Sequence, residues 1–320
     1  MTRFSGKRSD SFAFDNILYE KDGYKATITF NRPQARNAVT YDMLMELQTA
    51  FKDVAWDDDI AVLILTGAGD VAFCAGADLK EQQEFIRRPR DYYKWMEAFI
   101  RAHEMIRTLG KPSIARLNGM VVGGGNEFNI SCDVAVAADH VRLRQVGTSH
   151  GSVAAAGATQ FLPIMVGDRR AREILLFNEW YTAEQARDWG WVNYVVPYTE
   201  IDAKVDELAE KLYNKFPDKM RYTRQQINFW RDLSWGLTIQ HARDWLAVHN
   251  TSPETWEGVE SFIDKRDVGY KNIRLDMETG RDPAYHHGPP TQTCPYCETT
   301  HIPADFIFCG VCGKPLGDED

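Results

Sequence analysis

A carboxylate placed just beyond a run of glycines is the first chemistry this chain offers. Residues 117–127 read LNGMVVGGGNE, so Glu127 stands two residues after Gly123, Gly124 and Gly125 end. Glycine lets a backbone turn sharply and approach a ligand closely. A helix that starts there points its unpaired N–H groups at whatever lies over the turn, and such amides can hold a developing oxyanion. No Gly-Lys-Ser/Thr follows, so this is not a nucleotide-phosphate loop. A second glycine turn lies in residues 62–80, VLILTGAGDVAFCAGADLK. There Gly67, Gly69 and Gly76 follow an apolar run, and Ala77-Asp78 can open a helix. Two such turns can each offer one N–H to one carbonyl oxygen. The plain alternative is a glycine turn before an ordinary helix, with Glu127 an acid favoured by the helix dipole.

A second constellation sits at the other end of the chain. Residues 294–297 read CPYC and residues 309–312 read CGVC. Each pair sets two thiolates on a tight turn, and Gly310 and Gly313 ease the second one. The four thiolates of Cys294, Cys297, Cys309 and Cys312 suit a closed tetrahedral zinc site with no open position for catalysis. Rubredoxin-like iron is the alternative metal. The only lysine or arginine of residues 291–316 is Lys314, and Asp318, Glu319 and Asp320 follow closely. That charge favours a protein partner over nucleic acid. The other two cysteines, Cys74 and Cys132, read as buried structural thiols.

The elements that must position these residues alternate in type. Strands are expected at 17–19 and 26–30, joined by a turn at 21–23, and then at 61–65, 113–117, 134–138 and 192–196. A helix capped by Thr40 is expected at 41–55, with Met43, Met45, Leu47 and Phe51 on its apolar face. Beyond Pro89, Tyr92, Trp95, Met96, Phe99, Ile100 and Ile106 recur at helical spacing. They read as core, with Tyr92, Tyr93 and Trp95 also able to wall a flat acyl pocket. Helices are further expected near 126, at 159–166, 169–177, 201–215, 223–233 and 253–266. Trp230, Trp235, Trp245 and Trp256 read as helix-packing residues. This βαβ rhythm gives an α/β fold with a parallel sheet.

Composition narrows the partners. A chain of 320 residues with a formal net charge of −9 has no basic field for nucleic acid. No run of 18 apolar residues marks a membrane span, and the opening MTRFSGKRSDSF lacks the apolar core of a secretory signal. A cytoplasmic location is expected.

At residues 14–270 the chain resembles the crotonase (enoyl-CoA hydratase/isomerase) superfamily. The stretches NRPQARNA, FCAGADLK, NGMVVGGGNE and WEGVESFIDKR carry the resemblance, in order and at family spacing. It implies a crotonase-like ββα superhelix with a C-terminal helical region, here followed by a small zinc ribbon. The implied division is a flexible terminus at 1–16, a core at 17–200, a helical trimerisation region at 201–270, a linker at 271–290 and the ribbon at 291–316. Ala77 and Gly124 would supply the oxyanion-hole amides for a thioester carbonyl, and Glu127 would match the first catalytic glutamate. Ala35, Arg36 and Ala38, with Ala75, Asp78 and Leu79, would lie against coenzyme A, which arrives as part of the substrate. Arg36 either neutralises a CoA phosphate or stays in solvent. A homotrimer or a dimer of trimers is implied.

Two departures refine the expectation. Gly147 stands where hydratases of the family carry a second glutamate, and Ala154 replaces an aspartate found in dihydroxynaphthoyl-CoA synthases and 2-ketocyclohexanecarboxyl-CoA hydrolases, which share that glycine. The stretches RLNGMVVGGGNE, SHGSVAAAGATQFLPIMVG and ARDWLAVHN resemble 6-oxocyclohex-1-ene-1-carbonyl-CoA hydrolases of anaerobic benzoyl-CoA degradation. Those enzymes add water to a cyclic conjugated ketone and open the ring. On this resemblance His150 joins Glu127 in handling protons, and Ser152 orients water or bonds its own loop. The insertion those hydrolases carry after VVP is absent here. The alternatives are a plain enoyl-CoA hydratase and a non-catalytic acyl-CoA-binding subunit.

Overall fold

Short apolar runs separated by helices lay down the main sheet. The computed structural model describes residues 4–86, 88–279, 291–300 and 302–316. Strands β1 (Ile17–Asp22) and β2 (Lys25–Phe30) precede helix α1 (Tyr41–Trp56), then come β3 (Val62–Gly67) and β4 (Ala72–Cys74). Helices α2 (Leu79–Ile86) and α3 (Pro89–Thr108) follow, then β5 (Ser113–Leu117), β6 (Met120–Val122), α4 (Gly124–Ser131), β7 (Val134–Ala138) and β8 (Arg142–Arg144). Next are α5 (Ala158–Val166), α6 (Asp168–Phe177), β9 (Tyr181–Thr182), α7 (Ala183–Asp188) and β10 (Tyr194–Val196). The chain continues through α8 (Ile201–Tyr213), α9 (Pro217–His249), α10 (Pro253–Asp264) and α11 (Tyr270–Glu278) to the short pair β11 (Thr291–Gln292) and β12 (Ile302–Pro303).

The larger sheet has the order β1-β2-β3-β5-β7-β10. Only β1 is antiparallel; β2, β3, β5, β7 and β10 run parallel. Every residue of β3 is buried, as a parallel strand covered on both faces requires. A second sheet, β4-β6-β8-β9, crosses between the two glycine turns. Through it the strand ends of residues 72–74 and 120–122 pair directly, which brings both turns to one place. Thr40 caps α1 by accepting from Met43 N at 3.3 Å, a contribution of about 1 kcal/mol. Thr182 and Gln185 close a full capping box on α7. Helix α3 packs against α1, α4 and α9, and α10 packs against α2 and the 3-10 turn Thr148–His150.

Several expectations need correction. The first hairpin turns at Gly23-Tyr24, since Asp22 pairs with Lys25 and Gly23 takes φ 57°. Met45 is 44% exposed; Leu44 completes the buried stripe of α1 with Met43, Leu47 and Phe51. Helix 223–233 is one segment of the 33-residue α9, which runs through Gly236 because packing against α3 outweighs one glycine. Trp235 and Trp256 are buried, whereas Trp230 and Trp245 are exposed. Residues 270–278 are helical rather than part of a linker, and the remaining linker residues 280–290 lie outside the described residues. The first residues are not all loose: Phe12 and Phe14 stack at 5.2 Å and meet Tyr19.

Candidate active site and metal centre

The two glycine turns abut. Gly76 has φ 89°, and a Cβ there would lie 3.0 Å from the Gly124 amide nitrogen and 3.0 Å from the Val122 carbonyl oxygen. Only glycine fits such an approach. Helix α4 begins at Gly124, behind Gly123 with φ 52° and ψ −117°. The loop before it is fixed by Gly123 N donating to Arg144 O at 3.0 Å. Ala77 is fixed by a bridge to Val39: Val39 N donates to Gly76 O at 2.8 Å and Asp78 N to Val39 O at 2.9 Å. Among the described residues, neither the Ala77 nor the Gly124 amide has an acceptor. Two rigidly held, unspent N–H groups therefore stand at one junction, which is what an oxyanion needs.

Glu127 lies in the first turn of α4, 2% exposed, with Oε1 lacking a hydrogen-bond partner. Burial holds its carboxyl well above the usual carboxylate range, with the Ala158 backbone pulling the other way. A carboxyl so placed can pass a proton to or from a ligand. The chain belongs to the enoyl-CoA hydratase/isomerase family.

The family's pattern matches residues 22–273. The putative enoyl-CoA hydratase/isomerase YngF of Bacillus subtilis (strain 168) is 35% identical over 265 residues, covering 81% of this chain and 99% of that protein. The solved enoyl-CoA hydratase of Bacillus anthracis is 32% identical with a TM-score of 0.64, covering 80% of this chain and 99% of that one. DspI of Pseudomonas aeruginosa is 31% identical with a TM-score of 0.64, covering 82% and 99%. These neighbours share the α/β crotonase fold expected from the sequence.

In this enoyl-CoA hydratase/isomerase family member, the 32–39 loop is laced to the 75–78 turn. Ala75 N donates to Arg36 O at 3.0 Å, and the Arg32 guanidinium pairs with Asp78 at 2.9 Å while donating to Ala38 O at 2.6 Å. Arg36 adopts the left-handed conformation at φ 52° with an exposed side chain, and Ala35 and Ala75 are half-buried. The Asp78 carboxylate also receives Lys80 N at 3.1 Å near the start of α2, where Leu79 is the first residue. The two stretches expected to meet coenzyme A thus form one wall.

The 3-10 turn is held from above. His150 Nδ1 lies 3.0 Å from Val146 O, its ring meets Phe262 edge-on at 5.5 Å, and burial lowers its pKa. Ser152 N donates to Gly147 O at 2.9 Å. Gly258 of α10 packs directly on the His150 backbone, and Thr255 donates to Gly151 O at 2.7 Å. At Gly147 a Cβ would fall 2.7 Å from Ala154 N and 2.9 Å from Val153 C, so backbone occupies the space where a second carboxylate would begin.

Three supports were not legible in the sequence. His103, fully buried, sits 2.7 Å from Phe99 O by Nδ1 and stacks on Phe128 at 3.9 Å; burial depresses its pKa to about 4. Asn126 ties α4 to Gln145 at 3.1 Å and to the Trp191 indole at 2.8 Å. Asn250 is 1% exposed with Nδ2 unpartnered. Each looks in sequence like an ordinary helix residue or helix end. Cys74 and Cys132 are buried, which pushes both thiols up to about 12 and leaves them inert as nucleophiles.

The four tail cysteines converge. Their sulfur atoms all lie within 4.8 Å of one another, with Cys294–Cys312 and Cys297–Cys309 each at 3.6 Å. A tetrahedral ion with metal–sulfur bonds of about 2.3 Å has sulfur–sulfur edges of roughly 3.8 Å, so the set fits. The two turns are copies. Cys294 N donates to Thr299 O and Glu298 N to Cys294 O; Cys309 N donates to Lys314 O and Gly313 N to Cys309 O. Glu298 and Gly313 both take positive φ, while Gly310 does not. Among the described residues, apart from the sulfurs, the apolar core here is buried Ile302 with half-buried Leu316.

Proposed function

We propose that the protein is a CoA-thioester hydratase/hydrolase acting on a cyclic, conjugated oxo- or enoyl-CoA, adding water and then cleaving a ring C–C bond. The observation that carries this is the buried carboxyl of Glu127, with the Gly147 position closed by backbone to a second acid. A flat wall supports a ring: Tyr92, Trp95 and Phe99 stack along α3 at 6.2 and 5.0 Å, and the Phe99 ring comes within 2.8 Å of where a Gly124 Cβ would be.

The chemistry uses one enolate twice. The Ala77 and Gly124 amides polarise the thioester carbonyl. Water adds to the β-carbon, Glu127 takes its proton, and the electron pair moves into the thioester enolate. Glu127 returns the proton to the α-carbon. A second water then attacks a ring ketone next to that carbon. The bond between the ketone carbon and the α-carbon breaks, its electrons form the same enolate, and protonation completes an open-chain carboxylate. His150 serves the second water, and Ser152 holds its loop. Mass spectrometry of CoA esters incubated with the protein tests this: a gain of two waters supports ring opening, a gain of one leaves a hydratase, and binding without any turnover leaves an acyl-CoA-binding subunit. Rapid hydration of crotonyl-CoA with cyclic ketones untouched would select the plain enoyl-CoA hydratase, which the family match favours.

The reading extends to assembly and metal. The outer face of α9 exposes Tyr222, Ile227, Trp230, Leu237 and Val248, an apolar strip that supports packing between copies in a homotrimer or dimer of trimers. The four cysteines would hold a structural zinc ion, which supplies folding energy to the ribbon and no catalysis. Exposed Tyr296, Phe306, Ile307, Phe308 and Val311 on that ribbon support docking to a protein partner. Among the described residues no helix is long and apolar enough to cross a membrane.

A further inference from the structure

Helix α10 grips two separate parts of the site. One is the 3-10 turn Thr148–His150, where the approach is backbone to backbone with a glycine on each side. A Cβ on Gly258 would lie 2.3 Å from His150 C, and a Cβ on Gly151, which has φ 65°, would lie 2.1 Å from Glu254 O. Neither position has room for another residue. Thr255 Oγ1 donates to Gly151 O at 2.7 Å, and the Tyr270 hydroxyl donates to Ser149 O at 3.2 Å. Gly269, the residue before Tyr270, is fixed by donating to Glu257 Oε1 at 2.5 Å, and that carboxylate also pairs with Arg266 at 2.6 Å. The second part is α2. Ile86 packs with Trp256 and Val259 in an apolar cluster separate from the main core, with Ile263 at its edge. Helix α2 leaves directly from the oxyanion turn: Asp78, next to Ala77, accepts from Gln82 N by its carbonyl at 2.9 Å and from Lys80 N by its carboxylate at 3.1 Å.

We propose that α10 is a positioning clamp: Gly258 seats the turn that carries His150, Ile86 seats the helix that grows from the Ala77 amide, and the two ends are ordered together rather than separately. The grip on the turn is made through main chain, so no rotamer change absorbs a shift of α10 there. The grip on α2 is made by close-packed apolar side chains, which also transmit a displacement. A shift at one end therefore reaches the other through a single rigid helix. Gly258 and Ile86 are positioning residues; they act through His150 and the Ala77 turn and take no part in proton transfer. Coupling of this kind is established by perturbing one end and reading the other.

Hydrogen exchange of the full chain, read by mass spectrometry with and without acetyl-CoA, measures the coupling without turnover. The reporters are the amides of α2 and those of Ser149, His150 and Ser152, which are bonded within the turn. Ile86→Ala leaves the turn's own contacts in place, yet exchange at 149–152 should rise at least about 5-fold. Gly258→Ala strikes His150 and Tyr270, yet exchange at 79–86 should rise by a similar factor. Ile86→Val should restore the parent rates. Acetyl-CoA should slow exchange in both segments of the parent, and at 79–86 alone in Ile86→Ala. Changes confined to the segment that meets the substituted residue, or protection of the turn by acetyl-CoA undiminished in Ile86→Ala, would overturn the proposal. If Gly258→Ala fails to fold, seen as lost protection in β3, Ile86→Ala with its valine control decides the matter. Acetyl-CoA that protects neither segment of the parent would fail the CoA-thioester reading instead, and the cross-effects of the two variants would still decide the clamp.

Discussion

The position a Cβ on Gly147 would occupy lies 2.7 Å from the amide nitrogen of Ala154. The contact is with backbone, so no rotamer change relieves it. Replacing Gly147 by glutamate should therefore not install the second acid of a two-glutamate hydratase. Gly147→Glu is expected to lose about 1–3 kcal/mol of stability by overpacking and to gain no crotonyl-CoA hydration. Thermal unfolding and a hydration assay on the same sample check both parts; a stable, faster variant would contradict the geometry.

Glu127→Gln should lower the limiting rate at least about 100-fold while CoA-ester affinity changes little. An unchanged rate would remove Glu127 from the chemistry.

The same carboxyl makes a stability prediction of definite sign. Its folded pKa lies well above its unfolded value, so between those two pKa values the folded state binds the extra proton. Stability from this group is present below the ordinary glutamate pKa and falls as pH rises through the window above it. Glu127→Gln removes that dependence. The variant's melting temperature relative to the parent should rise from pH 5 to pH 8, and a flat difference would show that Glu127 is not buried as described.

His150→Ala should impair ring opening more than the first hydration, and Ser152→Ala should do less than either. The product ratio of one-water to two-water adducts by mass spectrometry measures this. Equal retention of both steps would leave His150 with its bond to Val146 O and its contact with Phe262 as its whole role.

Elemental analysis should find one zinc per chain, lost in Cys294→Ser/Cys297→Ser. Chelation should unfold residues 291–316 alone, because buried Ile302 and half-buried Leu316 cannot hold that segment without the ion. A protein cut after residue 279 should keep its turnover. Loss of turnover with the oligomer intact would mean the ribbon reaches the active site.

The sequence by itself determined the elements whose signals are local. The parallel strands at 113–117 and 134–138, the Thr40 and Thr182 caps and the paired cysteine turns were all readable, because period, capping chemistry and spacing act over a few residues. It also marked the two glycine turns, since a close backbone approach leaves glycines behind. Only the tertiary structure decided what depends on burial. Glu127 has its pKa raised because burial in the folded chain removes its water. Gly147 is closed by the backbone at 153–154, and Met45 faces out although it is as apolar as Met43. Solvent exposure is set by how segments pack in three dimensions, and residue type and spacing alone do not encode it.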